Sequence, residues 1–502
     1  MPPATSGDAP KDSAAQLTRQ LASGSAWMLA MRWSIKAIGL VSTLVLARLL
    51  TPDDFGLVAK AMVLVALLEA LTDTGQRVAL IRMEAPSREH YDTAWTIQII
   101  LGAIAGAVIF FGAPFAARYF GDADVVLVAQ MVALRPVIAG FENIGTVDFR
   151  RNLDFRREFR FGVITKVSGF VATMALAFTL RNYWALIGGM VATSLAIVAT
   201  SYWMHPFRPR PSLAKTRDLW SFSTWMLLNS FIYYVQEKVD QIIIAGAANP
   251  TVMGFYFIGA ELGRLPTSEI VGPMVRAFYP VYARAARDAE KLKTIYLRVL
   301  SIVAMAMIPA SVGLALVAAD LIAVMLGQQW LEAAPYMTFI ALAAGVSTVS
   351  GTVLPVLMAI GQPRRLTVQS MFRLGLMTPM LLVGQHLDGV QGVTKAMLVA
   401  ELVLAPTFFH HLMRPLGLSL ADLAGPCWRP LLAAAAMAGA VLYLPAVIEL
   451  QQPVLRLIVH VGFGAAVFCS VCGVLWVIAG RPEGAESVAY GAVRQRTSPF
   501  QL

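Results

Sequence analysis

The chain has 502 residues, of which 57% are hydrophobic and only 14% charged, and its mean hydropathy is +0.65. An ordinary soluble domain is about 45–50% apolar and about 25% charged, so this composition excludes a soluble globular chain and names lipid as the solvent. The net charge of +10 would suit nucleic acid, but membrane proteins gather basic residues in cytoplasmic loops, so position decides the reading.

The first 24 residues are polar and lack a short apolar core before a small-residue cleavage site, so the first span is expected to serve as its own uncleaved signal. Apolar stretches close to the roughly 20 residues that cross about 30 Å of hydrocarbon then recur along the chain. They lie at 25–47, 56–76, 93–117, 125–147, 158–180, 182–204, 219–246, 252–280, 295–318, 332–360, 366–386, 390–412, 429–448 and 453–479. This predicts an all-α polytopic membrane protein of about 14 spans, with no loop large enough for a soluble domain. Pro266 and Pro273 interrupt the eighth stretch, which a bundle tolerates when neighbouring helices satisfy the freed backbone groups. Cys427, Cys469 and Cys472 show no metal-ligand spacing and read as packing residues.

With the N-terminus taken as cytoplasmic, the alternate segments on that side hold 26 Lys and Arg, and the opposite loops hold only Arg48, Arg118 and Arg181. Such asymmetry predicts an even number of spans with both termini inside, and it makes the basic charge topological, excluding nucleic acid as a partner. Residues 25–56 also align without gaps on 223–254, placing Ser25, Trp27, Met28, Leu29, Val41, Ala47, Pro52 and Gly56 on Ser223, Trp225, Met226, Leu227, Val239, Ala245, Pro250 and Gly254. Span 1 then corresponds to span 7. Six spans separate the copies, so the halves share an orientation and are expected to be related by a pseudo-twofold axis along the membrane normal, with a site between two six-helix lobes. The expected organisation is a cytoplasmic segment 1–24, an N-lobe 25–204, a basic linker 205–218, a C-lobe 219–412, a cytoplasmic loop 413–428, spans 13 and 14 over 429–479, and a tail 480–502.

Eleven basic residues fall within spans: Arg32, Lys36, Lys60, Arg135, Lys166, Lys238, Arg264, Arg276, Arg373, Lys395 and Arg456. A charge at a helix centre costs at least about 2.5–3.5 kcal/mol, so such residues face a bundle interior or water and mark a path. Snorkelling to the headgroups is the bland reading, favoured for Lys60, Arg276, Lys395 and Arg456. Arg32 and Lys36 lie one turn apart on a single face of span 1, and Arg264 lies roughly 18 Å into span 8. Among the acids, Glu69 and Asp73 share a face of span 2, Asp240 lies in span 7 and Glu401 in span 12. Any of these four could bind a proton or sodium ion, though pairing with a neighbouring cation is the simpler reading. Glu261 and Arg264 have the i, i+3 spacing of an intrahelical pair. A net cationic cavity suits an anionic substrate, because guanidinium groups bond strongly to phosphate.

Four passages carry a family resemblance: "LARLLTPDDFGLVA" at 46–59, "TDTGQRVALIR" at 72–82, "KVDQIIIAG" at 238–246, and "GFYFIGAELGRLPTSEIVGPMVRAFYPVYARAARDAEKL" at 254–292, continued by "LGQQW" at 326–330. Together they resemble the Wzx-type oligosaccharide flippases and polysaccharide exporters of the multidrug/oligosaccharidyl-lipid/polysaccharide (MOP) exporter superfamily, nearest its exopolysaccharide, colanic-acid and teichuronic-acid branch. The resemblance implies two six-helix lobes, alternating access, and an undecaprenyl-pyrophosphate-linked oligosaccharide as substrate in the bacterial inner membrane. Other expected partners are membrane lipids and the polysaccharide polymerase and chain-length machinery. In such flippases cations of spans 1, 2 and 8 line the cavity, which points to Arg32, Lys36, Lys60 and Arg264. In span 8 the register departs, for Glu261 stands where the family often places its basic residue.

No cofactor is expected beyond a coupling H+ or Na+, no metal site is indicated, and without a Walker motif or dinucleotide fingerprint direct ATP coupling within this chain is not supported. The competing class is a membrane glycosyltransferase or polymerase acting on polyprenyl-linked sugars. Such an enzyme needs a substantial charged outer loop, which this sequence does not show. A peptidoglycan-precursor flippase or multidrug exporter shares the expected fold. The His410–His411 pair reads as interfacial.

Overall fold

The computed structural model describes residues 11–72, 75–220, 223–446, 451–482 and 484–487, and every regular element among them is helical. Eight helices are long and apolar enough to cross a membrane, and the pair Asp124–Gly140 and Ile144–Arg151, bent by 67°, supplies a ninth if it is one broken span. The difference from the fourteen expected stretches has local causes. Spans expected at 366–386 and 390–412 share one element, Pro363–Leu416, interrupted at Asp388 and Gly389. The eighth stretch is divided into Pro250–Gly263, a π-helical turn at Thr267–Val271, and Gly272–Ala285. Stretches 56–76, 219–246 and 429–448 include positions outside the described residues.

The chain clusters into two compact units, one of Met1–Lys238 with Asn249–Thr251, the other of Val239–Ala248 with Val252–Leu502. In the first, the Lys11–Leu49 helix lies against Phe155–Leu180. Gly24 faces the Phe155 ring, the Trp27 and Phe159 rings lie 5.0 Å apart at a tilt of 59°, and Gly162 faces Met31 and Ile35. Because the partner numbers rise together, the two helices run parallel. One turn further, the Cβ position of Gly39 lies 3.9 Å from Lys166 Nζ.

The "TPDDFG" passage is a helix start that also ties two helices together. Thr51 donates to Asp54 through its backbone N–H (2.9 Å) and hydroxyl (2.7 Å), which caps Pro52–Thr72. The other Asp54 oxygen accepts from Tyr183 N–H at 2.8 Å, at the start of Trp184–Met204. The linker after that helix is strapped to the same unit. Backbone N–H groups of Arg210, Ser212 and Lys215 donate to Asp92 (2.8 Å), Thr96 (2.9 Å) and Thr93 (3.2 Å) of Arg88–Phe120. Before it, His205 Nδ1 accepts from Phe207 N–H at 3.2 Å while its Nε2 faces Asp148 at 3.5 Å. Burial, helped by Arg157 and Arg208, pushes the His205 pKa below 6.5 despite Asp148.

In the second unit, Pro363–Leu416 folds back on itself. Asp388 leaves helical geometry and Gly389 takes φ 54°, a left-handed conformation cheap only for glycine. The arms meet almost backbone to backbone, since a Cβ on Gly392 would lie 1.8 Å from the Gly384 carbonyl oxygen. Polar rungs continue down the hairpin: Arg373 to Glu401 at 2.5 Å, Gln369 to Thr407 and to His411 at 2.9 Å each, and Arg365 to the His411 carbonyl at 3.1 Å. The apolar core around them includes Tyr296, Leu300, Val353, Val356, Leu404 and Leu412.

The "GFYFIGAELG" passage is a packing surface. Cβ atoms on Gly259 and Gly263 would lie 2.9 Å from the Ala333 and 3.1 Å from the Met337 carbonyl oxygens, so these glycines let Pro250–Gly263 touch the backbone beside and within Ala334–Gly351. In "LGQQW", Gly327 turns the chain at φ 106° and Trp330 is fully buried with its ring edge against Phe255.

Candidate functional site

Arg32 and Lys36 sit one turn apart on the Lys11–Leu49 helix, both half-buried. The long apolar stretches of this helix, of Phe155–Leu180 beyond Arg160, and of Trp184–Met204 contain no Asp or Glu. These helices therefore supply cations at membrane depth and no carboxylate of their own.

Lys60 belongs elsewhere. Its side chain is 1% exposed, its ammonium donates to the Phe120 carbonyl at 3.2 Å, and Asp122 stands 3.9 Å away. It closes the C-terminal end of Arg88–Phe120, where the carbonyls lack intrahelical partners and the helix dipole favours a cation. Snorkelling does not describe it. Nor does it describe Arg456, which pairs with Asp320 at 2.5 Å while His460 faces the other Asp320 oxygen at 3.1 Å.

Arg264 and Asp240, expected in different roles, are brought together. Arg264 Nη2 lies 2.6 Å from Asp240 Oδ2, which also accepts the Tyr256 hydroxyl. Asp240 and Tyr256 are buried, whereas the Arg264 side chain keeps 31% of its surface. The glycine contacts at 259 and 263 bring this helix close to Ala334–Gly351, and Pro266 and the π-helical turn follow two and three residues after Arg264. π-helical turns inside α-helices occur frequently at functional sites.

Glu401 is 3% exposed and held by Arg373. Its Oε2 and Arg373 Nε are buried with no hydrogen-bond partner among the described residues. The remaining coupling candidates cannot be placed: the Glu69 side chain and Asp73 lie outside the described residues. No group of three or more His, Cys, Asp or Glu able to hold a metal occurs among the described residues. Of the cysteines, Cys472 is buried 3.8 Å from Met305, Cys427 is half-buried and Cys469 is exposed.

Sequence reasoning missed the partners. The i, i+3 rule offered Glu261 to Arg264, yet the guanidinium reaches Asp240, 24 residues earlier. Arg373 was the only signal for Glu401, and nothing local linked positions 28 residues apart.

The family model described as "Polysaccharide biosynthesis protein" matches residues 45–335. The lipopolysaccharide biosynthesis protein WzxC of Escherichia coli (strain K12) is 22% identical over 423 residues, covering 82% of this chain and 85% of that protein. The succinoglycan biosynthesis transport protein ExoT of Rhizobium meliloti (strain 1021) is 23% identical over 339 residues, or 67% of this chain and 68% of that one. Among solved structures, the lipid II flippase MurJ in an inward closed conformation superposes with a TM-score of 0.70 at 12% identity, over 91% of this chain and all of that one. That likeness concerns the fold, and it is an all-helical, multi-span membrane fold. With more than half of the sequence matched by one family model, this chain belongs to the polysaccharide biosynthesis protein family.

Proposed function

We propose that this protein is a flippase that carries an undecaprenyl-pyrophosphate-linked oligosaccharide across the bacterial inner membrane, with both termini in the cytoplasm, for surface-polysaccharide synthesis. The observation that carries the reading is the pair Arg32 and Lys36 at membrane depth, on a helix whose apolar stretch has no acid. A cationic path of this kind lowers the cost of moving a phosphate group through hydrocarbon. The fold shared with a lipid II flippase and the relatives concerned with lipopolysaccharide and succinoglycan agree with it. Transport proceeds by alternating access, the halves 25–204 and 219–412 being the moving bodies and 429–479 an appendage. The protein makes and breaks no covalent bond, and the polymerase and chain-length machinery act on what it delivers.

Coupling to H+ or Na+ has two candidate points, Asp240 and Glu401, each engaged by an arginine. An ion that binds either carboxylate competes with that guanidinium, so ion binding and loosening of the pair are one event. Among the described residues Glu401 Oε2 has no hydrogen-bond partner, which leaves one carboxylate oxygen for an ion.

Transbilayer movement of a labelled undecaprenyl-pyrophosphate oligosaccharide in proteoliposomes tests the proposal, with Arg32→Ala and Lys36→Ala alongside wild type. Movement by wild type and its loss in folded variants establishes the flippase. No movement across several glycans, together with glycan lengthening or transfer, overturns it in favour of a membrane glycosyltransferase or polymerase.

A further inference from the structure

We infer that Tyr256 is a positioning residue for the carried anion: its hydroxyl holds Asp240 when Arg264 turns from that carboxylate to a phosphate of the lipid. The inference rests on the flippase reading for the identity of the ligand. Its basis is the convergence of two unlike donors on one atom. Asp240 Oδ2 accepts the Tyr256 hydroxyl and, at 2.6 Å, Arg264 Nη2. All three residues belong to the second unit.

The two donors differ in their freedom to move. Tyr256 is fully buried, and its ring meets the Tyr336 ring edge-on with centroids 6.3 Å apart. One turn further along, a Cβ on Gly259 would lie 3.1 Å from Tyr336 Cβ, so Pro250–Gly263 and Ala334–Gly351 are in close contact there. A ring packed in this way keeps one orientation, which makes its hydroxyl a fixed donor. Arg264 lies two turns beyond Tyr256, about 12 Å along an ideal helix. It reaches Asp240 with a long side chain that keeps 31% of its surface. Of the two, Arg264 is the donor that can swing.

A buried carboxylate left without a donor is strongly unfavourable. An arginine that alone satisfied Asp240 would therefore be held too tightly to serve a passing anion. Tyr256 changes that balance, because Asp240 keeps a hydrogen bond from a fixed group when the guanidinium leaves. Phosphate is the natural competitor, since a guanidinium pairs with it in the same bidentate geometry as with a carboxylate. The tyrosine thus acts on the lipid through Asp240 and Arg264 and needs no contact of its own with the ligand.

The test is equilibrium binding of undecaprenyl diphosphate glucose to the full chain in nanodiscs, with transbilayer movement measured beside it. Tyr256→Phe keeps the ring and removes the hydroxyl. It is expected to weaken binding by about tenfold or more, the scale of one hydrogen bond to a charged group. In an Asp240→Asn background, where no buried charge remains to be held, the same substitution should change binding by less than about twofold. A packing role lacks that dependence on Asp240. If Tyr256→Phe does not fold, 3-fluorotyrosine at the same position strengthens the hydroxyl as a donor and should tighten binding. Wild-type affinity in folded Tyr256→Phe, an equal loss in both backgrounds, or no tightening with 3-fluorotyrosine overturns the inference, as does a wild type that does not bind this lipid. The flippase reading is separately exposed. The expected binding shifts without transbilayer movement sink transport and leave the role of Tyr256, whereas movement by wild type with binding unchanged in Tyr256→Phe sinks that role and leaves transport.

Discussion

The two compact units distribute their intramembrane acids differently. In the second, Arg264 is matched by Asp240 and Arg373 by Glu401, each buried carboxylate coming from another stretch of helix. In the first, Arg32, Lys36 and Lys166 lie on helices whose spanning stretches have no acid. Charge that is matched inside the protein holds helices together. Arg32 and Lys36 have no acid on their own spanning stretch, and the pattern of acids along the sequence is what separates the two groups of charges.

That contrast breaks most visibly at Glu401. Glu401→Ala leaves Arg373 without its buried partner and is expected to lower stability by about 3–5 kcal/mol, whereas Arg373→Met with Glu401→Leu should recover most of the loss. Denaturation in detergent micelles measures both, and a double variant as weak as the single one would mean the pair is not what holds the hairpin. Next in size is Gly392→Ala, whose new carbon meets the Gly384 backbone. It should cost about 1–3 kcal/mol, against little change for Gly375→Ala on the same hairpin, where nothing lies within 4 Å. Thermal melting of the two proteins side by side would show it.

Arg32→Ala sharpens the contrast from the other side, with stability within about 1 kcal/mol of wild type and transport down by about tenfold or more. A large stability loss without a transport defect would assign Arg32 to the scaffold. The smallest effect concerns pH. His205 holds fewer protons folded than unfolded because its pKa lies below 6.5, so stability rises with pH, and acidification below about 6.5 costs stability. Protonating Nδ1 also removes the acceptor used by Phe207 N–H. Melting temperature between pH 7.5 and 5.5 should fall more for wild type than for His205→Gln, and equal slopes would remove His205 from the account.

How much of this was legible in the sequence depended on the range of each interaction. The span at 295–318 and its observed helix Ala289–Leu316 share most of their length, because burial of a 20-residue apolar run is decided locally. The motif passages were visible, but their work was not. "TPDDFG" ties helices 129 residues apart through Asp54, and Lys60 meets a carbonyl 60 residues away. Neither distance leaves a period in the sequence. Arg264 was singled out for its depth, yet its partner depends on how Pro250–Gly263 is set by Gly259 and Gly263, which is a matter of packing. The hairpin in Pro363–Leu416 was anticipated as two spans, and Gly389 at the break is the residue that permits the reversal.

The parallel course of Lys11–Leu49 and Phe155–Leu180 has a consequence for parity. Two helices that cross a bilayer in the same direction require the chain between them to cross an odd number of times. Arg88–Phe120 provides one passage, and the apolar stretch at 56–76 is the expected second. The broken segment from Asp124 to Arg151 must then count as a third, even though its 67° bend and short pieces give it none of the appearance of a single rod. Its bend is then a detour within one crossing, and Phe155–Leu180 begins on the side from which Lys11–Leu49 began.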